Sequence, residues 1–212
     1  MKYIIACILI VAGLRVDAAC AQSGMPWRHA PRITVAGAAG DSRLRAVDEA
    51  VAFWNRSLAE IGSGLRLGPV VHVTRGVPEE ELQELSRQVL SGGGRSANIP
   101  PALRDLPGDI TVVLANSAFV SFTSPPFGEN PKRIVGIRGA GFLPMSLPNV
   151  PRNVIAHELG HAIGLMHNSD PTTLMCGRPA SCRPDLFRSD QPRMFSLTEN
   201  EKRRLLTLYP AR

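Results

Sequence analysis

Aromatic residues and long apolar runs are both scarce in this chain of 212 residues. Phe, Trp and Tyr together make up only 5% of it, so a core must consist mainly of Leu, Ile, Val and Ala. No run after residue 14 is long and apolar enough to span a bilayer, so we expect no stable membrane insertion. Because 44% of the residues are hydrophobic and only 20% are charged, the chain does not belong to the intrinsically disordered class.

The charge balance is mildly basic, with a formal net charge of +6. No nucleic-acid-binding motif accompanies this charge, so we interpret it as arginine on a solvated surface and expect no nucleic-acid partner. The length predicts one folded domain, two at most, with enough chain to bury a substantial core.

The amino terminus has the features of a targeting segment. Lys2 precedes an apolar run from Tyr3 to Leu14, and small residues at Ala19 and Ala21 suit a cleavage site. These features predict a secretory signal peptide over residues 1–21 and a mature domain over 22–212. We therefore expect a secreted protein, located in a periplasm or outside the cell.

Lipid attachment at Cys20 is the weaker alternative, because Asp17 fits poorly at its distance before such a cysteine. Loss of the first 21 residues leaves Cys176 and Cys182 as the remaining cysteines. Two cysteines so close together in an exported chain most simply form one local disulfide. The alternative is two free thiols.

The first half of the mature chain reads as strands that alternate with helices. Apolar patterns predict strands at 32–36, 70–74, 110–115 and 133–138, and helices at 41–62 and 78–91. This order favours a partly parallel sheet with helices packed on it. The charged ends and internal glycine of the last of these strands predict that it lies at a sheet edge.

The residues that can carry chemistry lie in a predicted buried helix that begins near Asn149. His157 and His161 are four residues apart, which places both imidazoles on one face of that helix, one turn apart. Two neutral imidazoles at this separation can bind one zinc ion. Glu158 points to the side of the pair, where its carboxylate can reach a metal-bound water without being a ligand.

A glycine after these two residues allows a third ligand. Gly164 can adopt a left-handed conformation, so the chain can leave the helix sharply and bring His167 back to the metal. Three His ligands with one open position are typical of a catalytic zinc site, whereas a structural site has four protein ligands.

The motif that runs from His157 to His167 resembles the zinc signature of the metzincin metallopeptidases, and its spacing is most similar to that of the matrixins. The resemblance implies one catalytic zinc ion and Met175 in a turn beneath it. It implies an α+β fold whose N-terminal half is α/β-like: a twisted mixed sheet, an active-site helix and a C-terminal helix. Thr198 and Glu201 form a capping-box pattern at the start of that last helix.

The same resemblance implies a zinc-dependent endopeptidase that hydrolyses peptide bonds with zinc-activated water and Glu158 as general base. An extended protein or peptide substrate would pair with the edge strand at Ile134, Val135, Gly136 and Ile137. We expect a monomer. The alternative is a secreted zinc-bearing binding module of the same fold without turnover, but such a module does not need the Glu158 carboxylate.

Two departures from the matrixin pattern stand out. Asn168 follows the third His, where matrixins usually have Ser or Thr and archaemetzincins have Cys, so the resemblance to archaemetzincins is weaker. No counterpart of the metal-binding loops of animal matrixins is evident before residue 149, and the sequence leaves calcium undecided.

The predicted cleavage after Ala21 gives a mature chain that begins at Gln22. Mass spectrometry of the exported protein should therefore find Gln22 at its amino terminus, with no acyl chain. An amino-terminal Cys20 that carries lipid would contradict release as a free protein.

Overall fold

The structure is a computed structural model that describes residues 26–92, 99–126, 132–177 and 188–211. The predicted signal peptide over residues 1–21 and the predicted disulfide partner Cys182 lie outside these ranges. Within the described ranges, no helix combines the length and the apolar character needed to cross a membrane.

The strands of the described ranges form one five-stranded mixed sheet. They are β1 (Ile33–Ala36), β2 (Val70–Val73), β3 (Ile110–Leu114), β4 (Phe122–Thr123) and β5 (Arg133–Ile137). Their spatial order is β2-β1-β3-β5-β4. All neighbours run parallel except β4, which is antiparallel to β5 and forms one edge of the sheet.

Five helices accompany the sheet in the part of the chain that is described. They are α1 (Arg43–Glu60), α2 (Glu79–Leu90), α3 (Pro101–Arg104), α4 (Val150–Ala162) and α5 (Glu199–Leu208). This arrangement confirms the predicted fold class, a mixed sheet with a helix at each predicted place. The one-turn helix α3 and the two-residue strand β4 were not predicted, because elements this short show no periodic pattern.

Side chains of the central strands alternate between the two faces of the sheet, and each face is covered by its own apolar core. On β3, Ile110 and Val112 pack into a core with α1, α4 and α5, whereas Val113 faces a second core with α2 and α3. Successive side chains of a strand point to opposite faces, so a strand buried on both sides is mostly apolar along its length. The first core fixes α4 against α1 on one face of the sheet.

A buried ion pair ties the start of α1 to the carboxyl ends of the central strands. Arg43 is only 2% exposed, and its Nη2 lies 2.6 Å from Asp41 Oδ2. Its guanidinium also donates to Arg138 O at 2.7 Å and to Ala115 O at 2.8 Å, just beyond β5 and β3. Burial tends to raise the pKa of Asp41, but the hydrogen bonds and positive charge of Arg43 outweigh it and lower that pKa. The ionised pair therefore stabilises the fold above the ordinary carboxyl pKa and loses this effect as pH falls through the lowered value.

The prediction that the strand at residues 133–138 forms a sheet edge is wrong. β5 lies between β3 and β4, and all five of its residues are buried. The glycine taken as an edge feature has another role, because the Phe122 ring of β4 lies directly over Gly136 where a side chain would otherwise be. Ile134, Val135, Gly136 and Ile137 therefore do not offer a free edge to a substrate; β4 occupies that place.

Replacing Arg43 by Met should lower the free energy of unfolding by about 3–5 kcal/mol, because Asp41 would keep a largely buried charge without its partner. Urea unfolding at neutral pH measures the change. The control is Arg45→Met in the same helix, where a side chain that is 83% exposed pairs with Glu49. Loss of that exposed pair should cost less than about 1 kcal/mol. Equal effects of the two variants would contradict a special role for the buried pair.

Candidate metal centre

The carboxyl end of α4 is shaped by a glycine turn. Gly164 has a φ of +97°, a conformation that L side chains rarely adopt. Its N–H donates to His161 O and the next N–H, from Leu165, donates to Gly160 O, both at 3.0 Å. These two bonds form a Schellman motif, which ends the helix and turns the chain back toward it.

Side chains from distant parts of the chain satisfy the remaining carbonyl groups at this end of α4. Trp27 Nε1 donates to Ala162 O at 2.9 Å, and the Tyr209 hydroxyl donates to Ile163 O at 3.0 Å. Arg204 Nε of α5 donates to Gly164 O at 2.7 Å. The last carbonyl groups of a helix have no partner within it, so these contacts fix the end of α4 in place.

The turn brings three imidazoles together. His157 and His161 come from α4, and His167 comes from the segment after the turn. Their Nε2 atoms lie 3.1 Å (His157–His161), 3.0 Å (His161–His167) and 3.1 Å (His157–His167) apart. Among the described residues, no other His, Cys, Asp or Glu side chain joins this group.

The main chain fixes which nitrogen of two of these rings carries the proton. His157 Nδ1 lies 2.8 Å from Leu174 O, and His161 Nδ1 lies 2.9 Å from Leu165 O. A carbonyl oxygen can only accept, so both Nδ1 atoms are donors, and in the neutral rings both Nε2 atoms carry lone pairs. Two such lone pairs cannot bond to each other, but both can bind one cation placed between them.

The separations suit zinc. Zinc–nitrogen bonds of about 2.0–2.1 Å place two ligand nitrogens of one tetrahedral ion roughly 3.3 Å apart. The observed separations of 3.0–3.1 Å are close to that value. Imidazole is among the ligands that zinc prefers, so His157, His161 and His167 form a group that fits one zinc ion.

Burial keeps His161 in the form that binds metal. Desolvation of the imidazolium, together with the nearby His157, lowers the pKa of His161 to about 3, although its bond to Leu165 O acts in the opposite direction. The ring is therefore neutral over the range in which proteins are ordinarily folded. A neutral imidazole needs to release no proton before it coordinates a cation.

Met175 lies in the turn whose Leu174 carbonyl accepts from His157. It is fully buried, and its sulfur is packed against Gly160, between the two His of α4. Asn168 N donates to Met175 O at 2.9 Å, and Gly177 N donates to Asn168 O at 3.0 Å. The segment that follows His167 is thus paired with the Met175 turn.

Asn168 also connects this segment to the last helix. Its side-chain amide donates to Glu201 Oε1 at 2.5 Å and to Thr173 Oγ1 at 2.9 Å. The other oxygen of Glu201 accepts from Thr198 N at 2.7 Å, and Glu201 N donates to the Thr198 hydroxyl. The predicted capping box is confirmed, and Glu201 serves both the helix and the residue after the third His.

Glu158 lies at the wall of a cavity of about 670 Å³ that the three imidazoles also line. Glu158 itself is only 6% exposed. Much of the remaining wall is apolar and includes Val89, Leu90, Phe119, Phe122, Met145 and Val154. The metal group therefore faces a space large enough for part of a peptide.

The structure does not bring the other predicted site residues together in the expected way. None of Ile134, Val135, Gly136 and Ile137 lines the cavity; Phe122 and Thr123 of β4 line it instead. Cys176 lies at the cavity wall as a free thiol whose Sγ donates to Gly177 O. The disulfide with Cys182 stays a prediction, because Cys182 lies outside the described residues.

Comparisons with known proteins add little to this geometry. No protein-family model matches the chain, and no curated protein matches it. Among solved structures, the chain is similar to a crystal structure of archaemetzincin from Methanopyrus kandleri, with 18% sequence identity and a TM-score of 0.48. The match covers 88% of this chain and 96% of that one.

Replacing His167 by Ala should remove one of the three ligands. Loss of a residue that only hydrogen-bonds to a metal ligand typically weakens metal binding by up to about 100-fold, so loss of a ligand itself should weaken zinc binding by more than that. A competition titration with a zinc-binding dye measures the affinity. The control is His72→Ala, which removes an exposed His of β2 that contacts Asp48 at 3.1 Å. Equal zinc affinities of His167→Ala and the wild type would contradict the ligand assignment.

Proposed function

We propose that the protein is a secreted zinc endopeptidase of the metzincin type with matrixin-like ligand spacing. The observation that carries the proposal is the convergence of three imidazole Nε2 atoms at the wall of one cavity that Glu158 also lines. Three His ligands without a fourth protein ligand are typical of catalytic zinc. The motif spacing in the sequence supports the matrixin subtype, and the predicted leader supports secretion.

The proposed reaction uses few groups of the chain. Zinc held by His157, His161 and His167 would supply the Lewis acid that polarises the scissile carbonyl and acidifies a water molecule. Glu158 accepts a proton from the attacking water and later donates it to the leaving amine. The hydrogen bonds to Leu174 O and Leu165 O hold two of the rings in the tautomer that ligates.

The structure changes which strand we assign to the substrate. β4 is an edge of the sheet within the described residues, and both of its residues line the cavity. An extended peptide can add to such an edge through main-chain hydrogen bonds. The apolar wall contributed by α2, β4 and α4 favours substrates with an apolar side chain near the cleaved bond.

Replacing Glu158 by Ala should preserve zinc binding and reduce kcat/KM for peptide cleavage by about 10²–10⁴-fold, the usual contribution of a general acid–base. A peptide library incubated with zinc-loaded protein, with mass spectrometry of the products, supplies the substrate for this assay. The matched control is Glu80→Ala, which removes an exposed glutamate of α2 and should cleave like the wild type.

Unchanged cleavage by Glu158→Ala would refute the role assigned to Glu158. Absence of cleavage by the zinc-loaded wild type would refute the endopeptidase itself and leave a zinc-bearing binding module as the better description. Cleavage sites without an apolar residue on either side would contradict the substrate preference assigned to the cavity.

A further inference from the structure

Thr123, the last residue of β4, contacts the proposed general base. Its Oγ1 lies 2.9 Å from Glu158 Oε2 and 2.7 Å from the main-chain oxygen of Glu158. A carboxylate oxygen and a carbonyl oxygen only accept hydrogen bonds, so the Thr123 hydroxyl is the donor, and its one proton is shared between the two oxygens. The edge strand of the sheet thus meets α4 through the side chain that the proposed reaction uses for proton transfer.

The sheet fixes the position of this hydroxyl. Thr123 pairs with Val135 of β5, and the next residue, Ser124, donates its N–H to Ile134 O at 2.8 Å. The Ser124 hydroxyl also accepts from Ile134 N at 2.9 Å. Because a β-branched side chain has few accessible χ1 rotamers, the hydroxyl reaches Glu158 from a defined direction.

A carboxylate without such a contact is poorly oriented. The terminal torsion of Glu has a broad distribution, so the plane of its carboxylate is set by what it bonds to. Proton transfer requires the base within hydrogen-bond reach of the proton that it takes, and catalytic groups must be held to within about 0.5 Å. The bond at Oε2 restricts that rotation for Glu158.

We propose that Thr123 is a positioning residue that holds the Glu158 carboxylate in the orientation required for proton transfer. The inference rests on the proposed function, because that function assigns the proton transfer to Glu158. The competing explanation is that Thr123 only fastens β4 to α4 through the main-chain oxygen of Glu158. Fastening alone would change stability without changing the turnover of the folded enzyme.

Two substitutions at one position separate these explanations. Thr123→Val keeps the shape and the strand preference of the side chain but removes the hydroxyl, whereas Thr123→Ser keeps the hydroxyl. We expect Thr123→Val to lower kcat about 10–100-fold, the usual effect of losing a group that orients a reacting residue, with KM and zinc affinity unchanged. Thr123→Ser should restore kcat to within about three-fold of the wild type.

A matched control exists in α5. The hydroxyl of Thr207, an exposed residue, donates to the helix carbonyl of Arg203 at 3.0 Å and is remote in sequence from the site. Thr207→Val removes a hydroxyl bond to a main-chain oxygen, as Thr123→Val does at Glu158 O, and should leave kcat unchanged. A loss of kcat common to Thr207→Val and Thr123→Val would indicate a general effect on the fold and overturn the positioning role.

A second measurement does not depend on activity. Unfolding of metal-free protein is compared for the wild type, Thr123→Val, Glu158→Ala and the double variant. The bond between the two side chains predicts a coupling of about five-fold in the unfolding equilibrium constant, because contacting residues are not additive. Additive effects would show that the side chains do not interact and would overturn the inference.

The outcomes distinguish this inference from the function on which it rests. If the wild type cleaves peptides and Thr123→Val cleaves them equally well, the positioning role is overturned and the endopeptidase stands. If Thr123→Ser fails as badly as Thr123→Val, the hydroxyl is not the relevant group, and the inference is again overturned. If the zinc-loaded wild type cleaves nothing, both fail, and coupling in the metal-free protein then reports only a structural contact.

Discussion

The site depends on two hydrogen bonds from imidazole rings to main-chain carbonyl groups. Leu174 O and Leu165 O accept from the Nδ1 atoms of His157 and His161, which leaves both Nε2 lone pairs facing one point. Lone pairs at such short range are unfavourable until a cation separates them, so the scaffold has to hold the rings in place beforehand. The turn at Gly164 supplies the second of these carbonyls, and the Met175 turn supplies the first.

Contacts with α5 hold the segment that connects the Gly164 turn to the Met175 turn. Asn168 joins the segment after the third ligand to Glu201, which in turn completes the cap of α5. The last helix makes a second contact with this loop, because the Arg204 guanidinium donates to Gly164 O. The last helix therefore does more than pack in the core, because Arg204 and Glu201 hold the two ends of the loop that carries the third ligand. Loss of either contact would reach the metal group.

The sequence predicts those parts of the site whose residues lie close together along the chain. The four-residue spacing of His157 and His161 predicts that they share a helix face, and Gly164 predicts a turn after the helix. Their grouping with His167 could therefore be predicted from the spacing of these residues. The edge strand could not be. A two-residue strand shows no alternation, and Gly136 looks like an edge feature unless one knows that the Phe122 ring covers it. The caps on α4 also escape prediction, because they come from residues far along the chain.

The indole N–H of Trp27 donates to Ala162 O, which is 135 residues away in sequence. The main-chain N–H of Trp27 donates to the Tyr209 hydroxyl, which is 182 residues away. The end of α4 is thus held by Trp27, which precedes β1, and by Tyr209, which follows α5. Contacts this distant carry a large loop-closure entropy, because the whole intervening chain must be ordered for them to form. A chain that stops before Tyr209 would contain all three His residues and still lack the Tyr209 contacts that fix this end of the helix.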